Sequence, residues 1–134
     1  MTPHPDERAL MNSSPLDYLR SLVAGVPALE SELNRCLQNW GRETPPATIV
    51  FAEVGDAIAA NLAALPNAAR RKIFAAIEGG MVSQDTVLST AMATGLVEAL
   101  VASADQKPDL WKKFESLLGA ASMKYAVAWR NFGR

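Results

Sequence analysis

The sequence predicts an all-α domain of six to seven helices, packed as a compact bundle or as a short stack of antiparallel helical hairpins. Three observations carry this. Apolar residues recur every three to four positions along most of the chain, the period of a helix with one buried face. Strand signals are nearly absent, since the best of them, Thr48-Ile49-Val50-Phe51, runs straight into helical periodicity. Proline, glycine and capping residues punctuate the periodic segments, and alanine, which loses no side-chain entropy in a helix, is abundant.

The elements follow in order. Residues 1–13 are polar, hold two prolines and are expected to form a flexible tail, leaving 14–134 as one helical domain. Ser14-Pro15 reads as an N-cap with proline at the first helical position, where its missing N–H costs nothing, and Gly25 ends that helix. Pro27 opens the next, in which Leu29, Leu33, Cys36, Leu37 and Trp40 share one face before Gly41. Arg42-Glu43-Thr44-Pro45-Pro46 is the clearest break. A helix restarts near Thr48 with Phe51, Val54, Ile58, Leu62 and Leu65 on one face. Gly55 either weakens it or admits a neighbour closely. Pro66-Asn67 turns the chain into a helix carrying Ile73, Phe74 and Ile77, terminated by Gly79-Gly80. Ser83 is expected to cap a longer helix to about Ala102, with Asp85 in its first turn favoured by the helix dipole. Its apolar positions include Val87, Leu88, Met92 and Leu96. Pro108-Asp109 open a helix with Leu110, Trp111 and Phe114, ended by Gly119, and a last helix from about Ser122 carries Tyr125, Trp129 and Phe132. The latter half pairs naturally into hairpins 67–102 and 108–132.

Length and composition bound the class. A chain of 134 residues is one domain, and 49% hydrophobic against 20% charged residues is a globular balance. A net charge of −1 argues against a dedicated nucleic-acid binder. Residues 1–60 hold four arginines against eight acids, whereas 61–134 hold nine cations against six acids. Such asymmetry is either two solvated faces or a feature that steers a partner. The single cysteine excludes an internal disulfide, no stretch reaches roughly 18 uninterrupted apolar residues, and the N-terminus lacks the apolar run of a signal peptide. These features predict a cytoplasmic protein without a membrane partner.

Catalytic chemistry finds little to build on. The only histidine, His4, lies in the tail between two prolines. No phosphate-cradling or dinucleotide-binding glycine motif is present. Cys36 lies on an apolar stripe and reads as a structural thiol rather than a nucleophile. Glu53 and Asp56 are three apart on one helix, where paired carboxylates can bind a cation or split into acid and base, but no further ligand accompanies them. Arg70-Arg71-Lys72 and Lys112-Lys113 are cationic but spread around their helices. Glu98 interrupts an apolar run, so it requires a partner, with Tyr125, Lys124 or Trp129 of the last helix as candidates. Trp111, Phe114, Tyr125, Trp129 and Phe132 read as core aromatics. No cofactor or metal site is expected.

Two segments resemble a known family. Ala93-Thr94-Gly95-Leu96-Val97-Glu98-Ala99-Leu100 fits the pattern A-T-G-[FL]-[LV]-E-x-L, and Leu118-Gly119 with Ser122, Tyr125 and Trp129 fits L-G-x-x-S-x-x-Y-x-x-x-W. These motifs resemble a family of small all-helical bacterial proteins of largely uncharacterised function, some of them similar to immunity proteins that accompany antibacterial toxins. The resemblance covers roughly residues 48–132 and marks Glu98, Tyr125 and Trp129 as structural. It implies a non-catalytic protein that occludes a cognate toxin. Exposed acids, including Glu30, Glu32, Glu43, Glu53 and Asp56, would suit a basic partner, and Trp40 and Arg42 are candidate anchors beside the Pro45-Pro46 loop. The competing expectations are a self-assembling scaffold or adaptor, possible as a homo-oligomer, and a small-molecule sensor or carboxylate-based enzyme.

Overall fold

Helix boundaries lie close to where the punctuation places them. A computed structural model describes residues 14–132 as seven helices without a strand. They are α1 (Pro15–Val23), α2 (Pro27–Trp40), α3 (Ala47–Asn61, continued by a 3₁₀ turn over Leu62–Ala64), α4 (Asn67–Met81), α5 (Thr86–Gln106), α6 (Pro108–Leu117) and α7 (Ala120–Asn131). The expected tail, 1–13, lies outside the described residues. Ser14 caps α1 by accepting from the Asp17 N–H, and Gly25 and Gly41 take positive φ after α1 and α2. Three boundaries differ from expectation, one of them the end of α5, which continues past Ala102 to Gln106. Asp85, not Ser83, is the N-cap of α5, with Oδ1 accepting from the N–H groups of Val87 and Leu88. Ser83 instead accepts from the Asp85 N–H. Helix α4 also runs through Gly79-Gly80 to Met81, and there the two glycines leave room for the Tyr18 hydroxyl and the Met92 side chain.

The core is organised around α3 and α5, which make the most extensive contact in the fold. Gly55 lies against Leu96 and Ala99, while Gly95 lies against Thr48 and Phe51, so the two helices run in the same direction. Each glycine is a steric requirement. A Cβ on Gly55 would stand 2.6 Å from the Leu96 carbonyl oxygen, and one on Gly95 would stand 2.6 Å from that of Thr48. Of the two roles considered for Gly55, close approach is the one realised. Helix α5 is α-helical at both ends and a π-helix over Met92–Val97, the segment containing Gly95. Thr94 Oγ1 donates back to the Thr90 carbonyl at 2.7 Å there, a bond that competes with regular helix geometry.

The remaining helices wrap this pair. Helix α2 covers α3, α1 packs on α4 and α2, and α6 lies on the C-terminal half of α5. Helix α7 packs on α4 and α5. The hairpin stack therefore gives way to a bundle, because the close α3–α5 contact places the fourth helix outside the pair it connects. Phe51, Phe74, Phe114, Leu19, Leu29 and Ile58 are among the fully buried side chains. Ala47–Ala64 and Thr86–Gln106 are long and apolar enough, by length and composition, to cross a membrane, and their inner faces meet in this core.

Candidate functional site

The polar residues of the two sequence motifs meet at α7. Glu98, half-buried on α5, accepts from the Tyr125 hydroxyl at 2.6 Å. This realises the pairing expected of an acid in an apolar helix. Burial, then the hydrogen bond to Glu98 and its negative charge, push the Tyr125 hydroxyl up to about 12. The other two candidates do not contribute: Lys124 is exposed, and Trp129 is 39% exposed. Trp129 stacks instead on Phe132, itself 75% exposed, with ring centroids 5.6 Å apart. Of the aromatic set, then, only Trp111 and Phe114 are buried and Tyr125 half-buried, while Trp129 and Phe132 lie outside the core. Arg130 lies over the Trp111 ring, 4.4 Å from its centroid, and ties α7 to α6.

A second clamp fixes the start of α7. Glu78 of α4 accepts from the Ala121 N–H at 2.9 Å with one carboxylate oxygen. The other oxygen accepts from the Ser122 N–H at 2.9 Å and the Ser122 hydroxyl at 2.7 Å. The carboxylate thus supplies the cap that the α7 sequence lacks and places negative charge at the positive end of the helix dipole. Burial alone would raise its pKa, but the three hydrogen bonds from Ser122 and Ala121 outweigh this and hold it below the usual glutamate range. A Cβ on Gly119 would lie 2.5 Å from the Glu78 carboxyl carbon, so glycine leaves the acid its room.

A different chemistry occupies the α2–α3 face. Arg35 donates to both carboxylate oxygens of Glu32 and lies 3.9 Å from Glu53. Asp56, exposed on α3, has its pKa raised by partial burial and by the charges of Glu53 and Glu32. Glu32, Glu53 and Asp56 therefore share one negative surface with Arg35 set into it. The other expected partner residues are not brought into this group by any described contact. Trp40 is half-buried against the core at the end of α2, and Arg42 and Glu43 are exposed in the following loop. Cys36 is buried beneath this face, and burial followed by the Glu53 charge raises its thiol pKa.

Among the described residues, no group of three or more His, Cys, Asp and Glu side chains is arranged to hold a metal ion. His4 lies outside them. The clefts are open surface features. One, of about 420 Å³, lies between Tyr18 and Ser21 of α1, Gly79 of α4 and Leu88 of α5. The Tyr18 hydroxyl is engaged there, donating to the Ala76 carbonyl at 2.6 Å. Of the cationic run on α4, Arg70 donates to the Leu62 and Ala63 carbonyls at the end of α3, and Lys72 to the Ala24 carbonyl.

A family model described as a domain of unknown function (DUF7674) matches residues 19–133. The chain belongs to this family. No match is found among curated proteins or among solved structures. The DUF7674 match starts well before residue 48 and takes in α2 and the second half of α1, which the two motifs left unmatched. The residue of this family member that sequence reasoning missed is Glu78. Its signal was available: Glu78 lies one helical turn after Phe74, at the edge of the apolar stripe of α4, where an acid requires a partner.

Proposed function

We propose that this DUF7674 protein is a non-catalytic binding protein that neutralises a partner by covering it, as an immunity protein covers its cognate toxin. The observation that carries this reading is the α2–α3 face, where Glu32, Glu53 and Asp56 form a negative surface on two helices anchored in the core. Such a surface complements a basic partner, such as the substrate-binding face of an enzyme acting on nucleic acids or nucleotides. Rigid helices lose little conformational entropy on docking, which favours tight occlusion. The carboxylates of Glu78 and Glu98 are taken up by bonds to α7, which leaves the acids of the α2–α3 face for a partner. A cytoplasmic setting fits an inhibitor that must meet its target before damage occurs.

The test is affinity capture of the tagged full-length protein from its native cells, with calorimetry on the partner recovered. The pair Glu53→Lys and Asp56→Lys should weaken binding by about tenfold or more while leaving the circular dichroism unchanged. Equal affinity of the folded double variant would remove the acidic face from the interface. Self-assembly is the second reading, favoured by the exposed Trp129–Phe132 stack. It predicts a discrete oligomer by light scattering that Phe132→Ala disperses.

A further inference from the structure

Helix α7 is attached differently from the other six. Each of those buries large apolar side chains, from Leu19, Leu22 and Val23 of α1 to Leu110, Trp111 and Phe114 of α6. Over its 12 residues α7 buries only Ser122 and Ala126. Ala126 is its one member of the buried core cluster, and the others all lie between Leu19 and Phe114. Met123 and Tyr125 rest against that cluster half-buried, while Val127, Trp129 and the following Phe132 are exposed. What holds α7 is mainly polar. The Glu78 carboxylate binds its first turn, Glu98 binds Tyr125 in its middle, and Arg130 in its last turn lies 3.8 Å from Asp105 and over Trp111. Leu118 and Gly119, both in extended conformation, join it to α6.

We propose that α7 is a releasable latch, which swings out on Leu118-Gly119 as one unit while α1–α6 stay folded. A segment with few buried apolar contacts opens at a lower free energy than the core it rests on. Hydrogen bonds add little to that free energy, because the same groups bond to water once released. The body keeps its core when α7 leaves, since only the Ala126 methyl group is withdrawn from it. Opening as a unit follows from the spacing of the polar contacts: first turn, middle and last turn are each held, so neither end is left to fray alone. Release uncovers the sides of α4 and α5 on which α7 packs, together with the Glu78 and Glu98 carboxylates. The acidic α2–α3 face lies on other helices, so the latch stands whether or not the immunity reading does.

The test is hydrogen exchange of the full-length protein under native conditions, followed amide by amide by NMR in urea below the unfolding transition. The amides of 124–131 should share one opening constant, about a hundredfold or more above that of α3 and α5. Its urea dependence should be shallower, because release exposes far less surface than unfolding. Ile58→Val, a small change in the core on α3, should raise the opening of α3 and α5 about fivefold and leave that of α7 unchanged. Glu78→Gln should raise the opening of α7 about tenfold. The proposal is overturned if α7 shares the opening constant and urea slope of α3 and α5, or if Ile58→Val accelerates all three helices alike. Protection that declines steadily toward residue 131, as in ordinary end fraying, would overturn it too, as would α7 exchange indifferent to Glu78→Gln.

Discussion

Replacing Gly95 with alanine should destabilise the protein, reversing the usual effect of that change in a helix. The added Cβ would stand 2.6 Å from the Thr48 carbonyl oxygen, 2.8 Å from Phe51 Cβ and 3.3 Å from the Ala52 nitrogen. Non-bonded carbons rest about 3.5–4.0 Å apart, so α3 and α5 must separate by nearly 1 Å. None of the three atoms is the free end of a flexible side chain, and Phe51 is fully buried. The cost therefore falls at the upper part of the overpacking range, about 3 kcal/mol. Alanine recovers up to about 1 kcal/mol of that through helix propensity. The net loss is about 2 kcal/mol, or roughly 8 °C in Tm for a domain of this size. Urea denaturation followed by circular dichroism measures it. Ala102→Gly, on the exposed side of the same helix, is the control and should cost about 0.5–1 kcal/mol. If Gly95→Ala matches or exceeds the wild type in stability while the control behaves as expected, the close-contact account of the α3–α5 pair is wrong.

Glu78→Gln should cost about 1–2 kcal/mol by weakening the cap of α7, with loss of amide protection at Ala121 and Ser122 in hydrogen exchange. Because the folded pKa of Glu78 lies below its unfolded value, its contribution is present above the ordinary glutamate pKa and is lost as pH falls through the folded one. The acid limb of the stability–pH curve should accordingly be shallower in Glu78→Gln, and an unchanged limb would contradict the depressed pKa. Tyr125 should resist ionisation: with Tyr18→Phe as background, tyrosinate absorbance should rise near pH 12, whereas a midpoint near 10 would break the Glu98 link. The raised folded pKa also means that stability falls as pH rises from about 10 to 12, a loss that Tyr125→Phe should remove. Phe132→Ala should change unfolding free energy by less than about 0.5 kcal/mol, since the ring is mostly exposed, and a larger loss in urea melts would place it in the core.

The fold class and the seven elements were legible because their signals are local. Ser14, Pro15, Pro27 and Pro108 start helices for reasons intrinsic to their own backbone groups, and Gly25 and Gly41 stop them likewise. The Glu98–Tyr125 pair was legible in outline, since an acid in an apolar helix restricts its own partners. What failed depended on neighbours. Tyr125, Trp129 and Phe132 share a helical face by period, but period cannot say whether adjacent helices extend far enough to cover its end. The π-helix over Met92–Val97 has no composition of its own, and the parallel course of α3 and α5 follows from two glycines forty residues apart. Ser83 and Asp85 are both good caps, and the choice between them turns on which backbone N–H groups point outward.

The placement of the motif polar groups bears on where function is to be sought. Glu98 and Tyr125 bind each other, and Ser122 binds Glu78, so both clamps hold α7 onto α4 and α5. Their removal is a stability experiment and not a test of binding. Glu53 and Asp56 are different: they stand on α3, whose opposite side is locked to α5 through Gly55 and Gly95. A charge on such a helix is held in position by the core, and little conformational freedom remains for a partner to remove. The acidic-face reading therefore implies a coupling between core and surface. Loosening the α3–α5 contact with Gly55→Ala, in a variant that stays folded, should weaken partner binding without altering a single surface charge.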